Sequence, residues 1–192
     1  MGKLRNLILK DEVCPWWLIW TFDNPLRKLL QKPEEILKGL VRDGDTAVDI
    51  GCGIGYFTIP LAGMVGRSGK VIAVDLQERM LNGMEKRAIK NCVNDRIISH
   101  KCTPGSLDVS ERADFILAFY MVHEVPDQTH LFGEIKQILK PGGKILVVEP
   151  GFHVKADAFE KTVKTAQSCG LNLVALPRFS FSRAAVFANQ GN

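Results

Sequence analysis

Asp49, Gly51, Gly53, Gly55 and Asp75 are the residues of this chain whose types and spacing could do chemistry. The glycines alternate between an apolar run, Thr46 to Ile50, and a helix-compatible stretch. A strand, a glycine turn and a helix start make a site where backbone N–H groups and the helix dipole face a ligand. Glycine turns tightly and lets a ligand approach with no Cβ in the way. The spacing departs from the dinucleotide fingerprint G-x-G-x-x-G, because Tyr56 stands where the last glycine is needed. The phosphate loop G-x-x-x-x-G-K-S/T is absent as well. Asp49 beside the turn would repel a pyrophosphate and attract an ammonium group. Asp75 ends the next apolar run, 24 positions beyond Gly51. That is near the offset of about 20 residues at which an acid takes ribose hydroxyls. A ligand with an amino-acid end, a ribose and no phosphate suits both acids.

The elements that must position these residues follow from periodicity. Thr46 to Ile50 and Val71 to Asp75 read as buried strands, and Arg96 to Cys102, Ala113 to Phe119 and Lys144 to Glu149 as three more. Helices are expected from Pro33, over Tyr56 to Val65, over Glu78 to Asn91 with Leu81, Met84, Ala88 and Ile89 inward, and over Lys155 to Cys169. Pro60 is tolerable only near a first turn. Asp127 can cap a further helix, which Pro141-Gly142-Gly143 stops. Leu171 to Leu176 and Arg183 to Phe187 have no helix between them and must pair antiparallel. The plan is α/β, a parallel sheet closed by an antiparallel hairpin strand.

Asp49-x-Gly51-x-Gly53-x-Gly55, then Asp75, then Leu139-Lys140-Pro141-Gly142-Gly143-Lys144 before a strand resemble the class I S-adenosylmethionine-dependent methyltransferases. The likeness covers roughly Glu34 to Phe187. It implies a Rossmann-like, seven-stranded, mostly parallel sheet with helices on both faces and a C-terminal antiparallel hairpin. It implies S-adenosylmethionine as cofactor and S-adenosylhomocysteine as product. The implied cofactor residues are Asp49, Gly51, Cys52, Gly53, Gly55, Asp75, Leu76, Cys102, Thr103 and Phe119. One segment departs from the family. Many relatives have an acid near the adenine amino group, whereas this chain reads Lys101-Cys102-Thr103-Pro104-Gly105-Ser106, with Asp108 later. Adenine contact then falls to backbone groups and apolar walls.

A sulfonium methyl is already activated, so the protein supplies position and electrostatics. In-line attack needs alignment and exclusion of water more than a dedicated nucleophile. The added group, where one is used, is a general base for the acceptor's proton. The loop Tyr120-Met121-Val122-His123-Glu124-Val125-Pro126 follows the fourth strand and should face the methyl. Tyr120 and His123 are the candidate catalytic residues; the unperturbed histidine pKa of about 6.5 suits base work. His123 could equally be a polar residue that orders the loop. His153 lies on the next strand-end loop, and His100 and His130 read as structural or exposed.

The acceptor class rests on resemblance. The Asn/Asp-Pro-Pro-Tyr/Phe signature of many nucleic-acid enzymes is absent after strand four, and no paired-glutamate loop of the arginine-methylating kind is evident. The loop and short hairpin resemble small-molecule enzymes near the ubiquinone/menaquinone-biosynthesis group. A small-molecule acceptor, no nucleic acid and no metal are expected. Two other readings stay open: a protein or RNA methyltransferase with partner-supplied specificity, and a catalytically silent cofactor-binding interaction module.

The chain has 192 residues and a net charge of +4, which suits one sizeable core and does not argue for a nucleic-acid face. Its five cysteines are widely spaced and odd in number, which points to a reducing cytoplasm. Cys52 reads as a small loop residue. Val13 to Phe22 is about half the ~20 residues a membrane helix needs. Residues 1–31 form a segment apart from the domain at 32–192, and hold Trp16, Trp17, Trp20 and Phe22. Three roles stand open for that segment: a lid, packing onto the domain, or a partner surface.

Overall fold

The computed structural model describes residues 31–191. The tryptophan-rich segment and its expected role as a lid lie outside the described residues.

Four apolar runs form the centre of a sheet because almost all their side chains are buried. They are β1 (Thr46–Ile50), β2 (Lys70–Asp75), β4 (Ala113–Phe119) and β5 (Leu139–Pro150). Near-continuous burial is what a parallel sheet covered on both faces requires. β3 (Ile97–Lys101) lies at one edge and is less buried. β6 (Asn172–Ala175), β7 (Arg178–Phe179) and β8 (Ser182–Ala188) complete the sheet. The strand order is β3-β2-β1-β4-β5-β8-β6, with β7 paired to β8. β1 to β5 run parallel, and β8 is antiparallel to β5, β6 and β7. Seven strands in a row match the expected plan, and the eighth is the two-residue β7.

Alternate residues of each strand feed opposite cores. Val48, Ile72, Val74, Ile116 and Val147 pack with Leu131, Phe132 and Ile135 of α4 (Gln128–Ile138) and Phe159 and Val163 of α5 (Ala156–Ser168). Ala47, Val71, Phe115, Leu117 and Leu146 pack with Leu37 of α1 (Pro33–Leu37), Leu61 of α2 (Thr58–Met64) and Leu81 and Met84 of α3 (Glu78–Lys90). Each fully buried Leu or Phe contributes about 1.5–3 kcal/mol. The order reverses between β1 and β4, so the crevice at their carboxyl ends is where a ligand of such a sheet binds.

Four local expectations are corrected. α2 starts at Thr58 rather than Tyr56, which places Pro60 third in the helix, where its missing N–H costs no intrahelical bond. Ile89 is exposed, because one residue past Ala88 turns about 100° out of the Leu81-Met84-Ala88 stripe. α4 ends at Ile138, before Pro141-Gly142-Gly143, and β5 begins at Leu139. Asn189 holds that stretch extended: Gly142 N–H donates to its carbonyl, and its own N–H donates to Gly143 O at 3.0 Å. The register consequently shifts between Ala113 and Phe115. The C-terminal hairpin is broken in two, with β7 between β6 and β8, since Pro177 has no N–H for the ladder. Among the described residues no helix is long and apolar enough to cross a membrane.

Candidate active site

The turn after β1 is tied to the end of β2. Gly51 and Cys52 both donate N–H to Val74 O, at 2.9 and 3.0 Å. Gly53 donates to Asp75 Oδ2 at 2.9 Å, and Gln77 donates to Asp75 Oδ1 at the same distance. Gly51, Gly53 and Gly55 have φ of +71°, +54° and +84°, a region that costs other residues about 1–2 kcal/mol. The three glycines are not equivalent. A Cβ on Gly55 would lie 2.7 Å from Met84 Cγ, and one on Gly51 would lie 3.0 Å from Met121 Cβ. A Cβ on Gly53 would meet nothing within 4 Å and would project into open space. Gly55 therefore serves packing, and Gly53 leaves room for something else.

The two acids sit differently. Asp49 is 2% exposed, and Thr58 Oγ1 donates to its Oδ2 at 2.6 Å. It lies beneath the turn and fastens it to α2, rather than standing open beside it. Asp75 is 9% exposed. Burial raises its pKa above the ordinary carboxylate value, against the backbone N–H bonds from Gln77, Gly53 and Leu76 that lower it. Gly53 and Gln77 bond different oxygens of this carboxylate, which has about four lone-pair sites and so keeps acceptor capacity beyond its backbone donors. An open cradle and an acid with spare acceptor capacity fit the nucleoside cofactor that the resemblance implies.

Leu76 and Cys52 flank that acid. Burial, then the charges of Asp49 and Asp75, push the Cys52 thiol far up, so it is an inert small residue rather than a nucleophile. Cys102 N–H donates to Asp75 O at 3.2 Å, which brings the end of β3 alongside. Burial, followed by the Asp75 charge, pushes the Cys102 thiol up to about 11. Thr103 is exposed, and its hydroxyl donates to Asp108 at 2.9 Å.

The end of β4 joins the glycine turn through aromatic rings. Phe119 lies 4.2 Å from Phe57 and 4.4 Å from Tyr120, centroid to centroid, and Tyr56 meets Phe57 edge-on at 5.3 Å. Tyr120 has φ +60°, uncommon for a bulky residue and characteristic of functional sites. Its hydroxyl accepts from Gln31 Nε2 at 2.5 Å and shares a hydrogen bond with Ser182 Oγ at 2.6 Å. Tyr56 donates to Gln31 O at 2.8 Å.

His123 lies in a single helical turn, Val122–Glu124, after β4. Glu149 of β5, 1% exposed, receives both its backbone N–H (3.1 Å) and its ring Nδ1 (2.5 Å). Burial pulls the His123 pKa down, but the hydrogen bond and charge of Glu149, with the charge of Glu124, outweigh it and leave the pKa raised. His153 stands edge-on with ring centroids 5.1 Å apart. Phe152 and Phe181 are 78% and 70% exposed and line an open cleft of ≈ 380 Å³ with Gly151, Ser182 and Arg183.

Every sequence-predicted site residue thus lies at or beneath the carboxyl ends of β1 to β4. The sequence reading missed Thr58, Glu149, Gln31 and Ser182. An acid closing an apolar strand was the available signal for Glu149, the same signal that marks Asp75. Gln31 and Ser182 carry no motif, since their partners are 89 and 62 positions away.

Residues 42–177 match a family described as a methyltransferase domain. Demethylmenaquinone methyltransferase of Bacillus cereus (strain AH187) is 30% identical over 109 residues, 57% of this chain and 46% of its own length. The chain spans about half the length of the curated relatives it matches. A SAM-dependent methyltransferase from Aquifex aeolicus superposes with a TM-score of 0.82 at 22% identity, over 92% of this chain and 100% of its own. A putative rRNA-methylase from Clostridium thermocellum gives 0.68 at 19% identity, over 85% and 96%. At these identities the two structural likenesses are of fold.

Proposed function

The chain belongs to the methyltransferase-domain family, of the class I S-adenosylmethionine-dependent type, and we propose that it transfers a methyl group to a small, apolar or aromatic acceptor. One observation carries this reading. Gly53 donates to Asp75 beside open space, while His123 and Glu149 are hydrogen-bonded at neighbouring strand ends.

When bound, S-adenosylmethionine supplies a methyl group activated on sulfonium. Asp75 would hold the ribose hydroxyls with the acceptor capacity that its backbone donors leave. Gly53 lets the backbone approach, and Gly51 and Gly55 keep the turn packed on Met121 and Met84. Asp49 sets a negative charge beneath the turn, on the side that takes the ammonium end. Cys52 and Leu76 would wall the cofactor pocket, Cys102 and Thr103 would border the adenine, and Phe119 would stand between cofactor and acceptor. Tyr120 and His123 face the acceptor, with His123 taking its proton. The exposed rings of Phe152 and Phe181 support an apolar or aromatic acceptor. The role proposed for the aromatic-rich segment at residues 1–31, whose last residue Gln31 meets both tyrosine hydroxyls, is to exclude water from the reacting methyl group.

The test is methyl transfer from labelled S-adenosylmethionine to a metabolite extract, run beside RNA and protein fractions. Label in the small-molecule fraction is expected. Label confined to RNA or protein, or cofactor binding without transfer, sinks the acceptor assignment. Deleting residues 1–22 should keep cofactor affinity within a few fold and lower transfer about a hundredfold.

A further inference from the structure

Glu149 is a buried acid that the cofactor does not need, yet it makes two hydrogen bonds to one residue, His123. A carboxylate 1% exposed is costly unless paired, and here its ring partner is the candidate acceptor-side base. When the imidazole is neutral, Nδ1–H donates to Glu149 and Nε2 carries the lone pair. Nε2 makes no hydrogen bond among the described residues. The backbone N–H bond at 3.1 Å holds the turn in register, so both the tautomer and the ring's direction are set from β5.

We infer that Glu149 is a positioning residue that holds His123 as a proton acceptor, serving a methyl acceptor that must lose a proton on methylation, of the neutral hydroxyl class. This rests on the methyltransferase reading above. The acceptor's oxygen forms a bond to the methyl carbon, and the carbon–sulfur bond breaks with its electron pair left on sulfur. The hydroxyl proton passes to Nε2 of His123, so charge and atoms balance with no further reactant. An acceptor already ionised needs no such partner, which makes the arrangement informative about substrate class. Among the described residues, the charged and titratable groups around His123 are Glu149 from β5, Glu124 from its own turn and His153 from the loop after β5.

The experiment uses the full chain, its Glu149→Gln and Glu149→Asp variants, labelled S-adenosylmethionine, phenol and 4-nitrophenol. In mildly basic buffer phenol is still neutral, while its nitro analogue is ionised. Glu149→Gln should lower kcat on phenol about a hundredfold, with transfer to 4-nitrophenol and cofactor affinity changed by less than about threefold. Glu149→Asp should recover part of the loss. The low-pH limb of the phenol profile, and the His123 ring titration by NMR, should both move to lower pH in Glu149→Gln. Equal losses on both phenols, or an unmoved His123 titration, would overturn the positioning role. A wild type that binds the cofactor and methylates amines or thiols but neither phenol would overturn the hydroxyl assignment. A wild type that binds no S-adenosylmethionine by calorimetry would overturn the parent reading and this inference with it. If Glu149→Gln does not fold, the comparison rests on Glu149→Asp: a loss on phenol with none on 4-nitrophenol is expected, and equal losses overturn the role.

Discussion

Gly53 donates its backbone N–H to Asp75 Oδ2, so the turn after β1 and the acid ending β2 form one hydrogen-bonded unit. Asp75→Ala removes the acceptor of a charged hydrogen bond, worth roughly 1.5–3 kcal/mol. Binding of S-adenosylmethionine should weaken tenfold or more by calorimetry. Asp75→Asn, which keeps one acceptor oxygen, should lie between. Unchanged affinity in a folded Asp75→Ala would remove Asp75 from the site.

Substitutions at Gly53 and Gly55 should separate binding from stability. Gly53→Ala strains a φ of +54° but touches nothing, so about 1–2 kcal/mol of stability and most cofactor affinity should go. Gly55→Ala adds a contact of 2.7 Å with Met84 Cγ and should cost a further ~1–3 kcal/mol. Urea midpoints measure the second effect and calorimetry the first. The reverse ranking in stability would contradict the packing described.

Stability should vary with pH through His123. Its folded pKa is raised, because Glu149 and Glu124 outweigh burial. The folded state therefore holds the proton more tightly than the unfolded chain. The stabilisation is complete below the unfolded value of about 6.5 and is lost as pH rises through the folded value. The wild type's advantage over Glu149→Gln in urea midpoint should accordingly be full below about pH 6.5 and shrink as pH rises through the raised folded value. An advantage that grows with pH would reverse the assigned sign.

Tyr120→Phe keeps the ring against Phe119 and deletes the hydroxyl shared by Gln31 and Ser182. Two lost hydrogen bonds should cost about 1–3 kcal/mol. If the hydroxyl faces the acceptor as proposed, transfer should fall more than cofactor affinity. A fall in affinity alone would move Tyr120 to the cofactor side.

Legibility followed the range of the interactions. β1, β2 and β4 were readable because both faces of each are buried, leaving unbroken apolar runs. Asp75 was readable because its place at a strand end is local. The start of β5 was not, since Asn189 holds Leu139 to Gly143 extended from across the sheet. Ile89 was misplaced because an apolar residue beside a helical stripe looks inward until the neighbouring elements are known. The Glu149–His123 pair joins residues 26 positions apart, and only the parallel pairing of β4 with β5 brings them together.

The row Tyr56, Phe57, Phe119 and Tyr120 gives the molecule its own reporter. The chain has two tyrosines, and both lie in this row with their hydroxyls joined to Gln31. Tyr56 directly follows the glycine turn, and Tyr120 follows β4 and meets Ser182. Protein grown with ring-labelled tyrosine would give two signals, each assignable by a single Phe substitution. Occupancy of either half of the site could then be followed in the unaltered chain, with no attached dye.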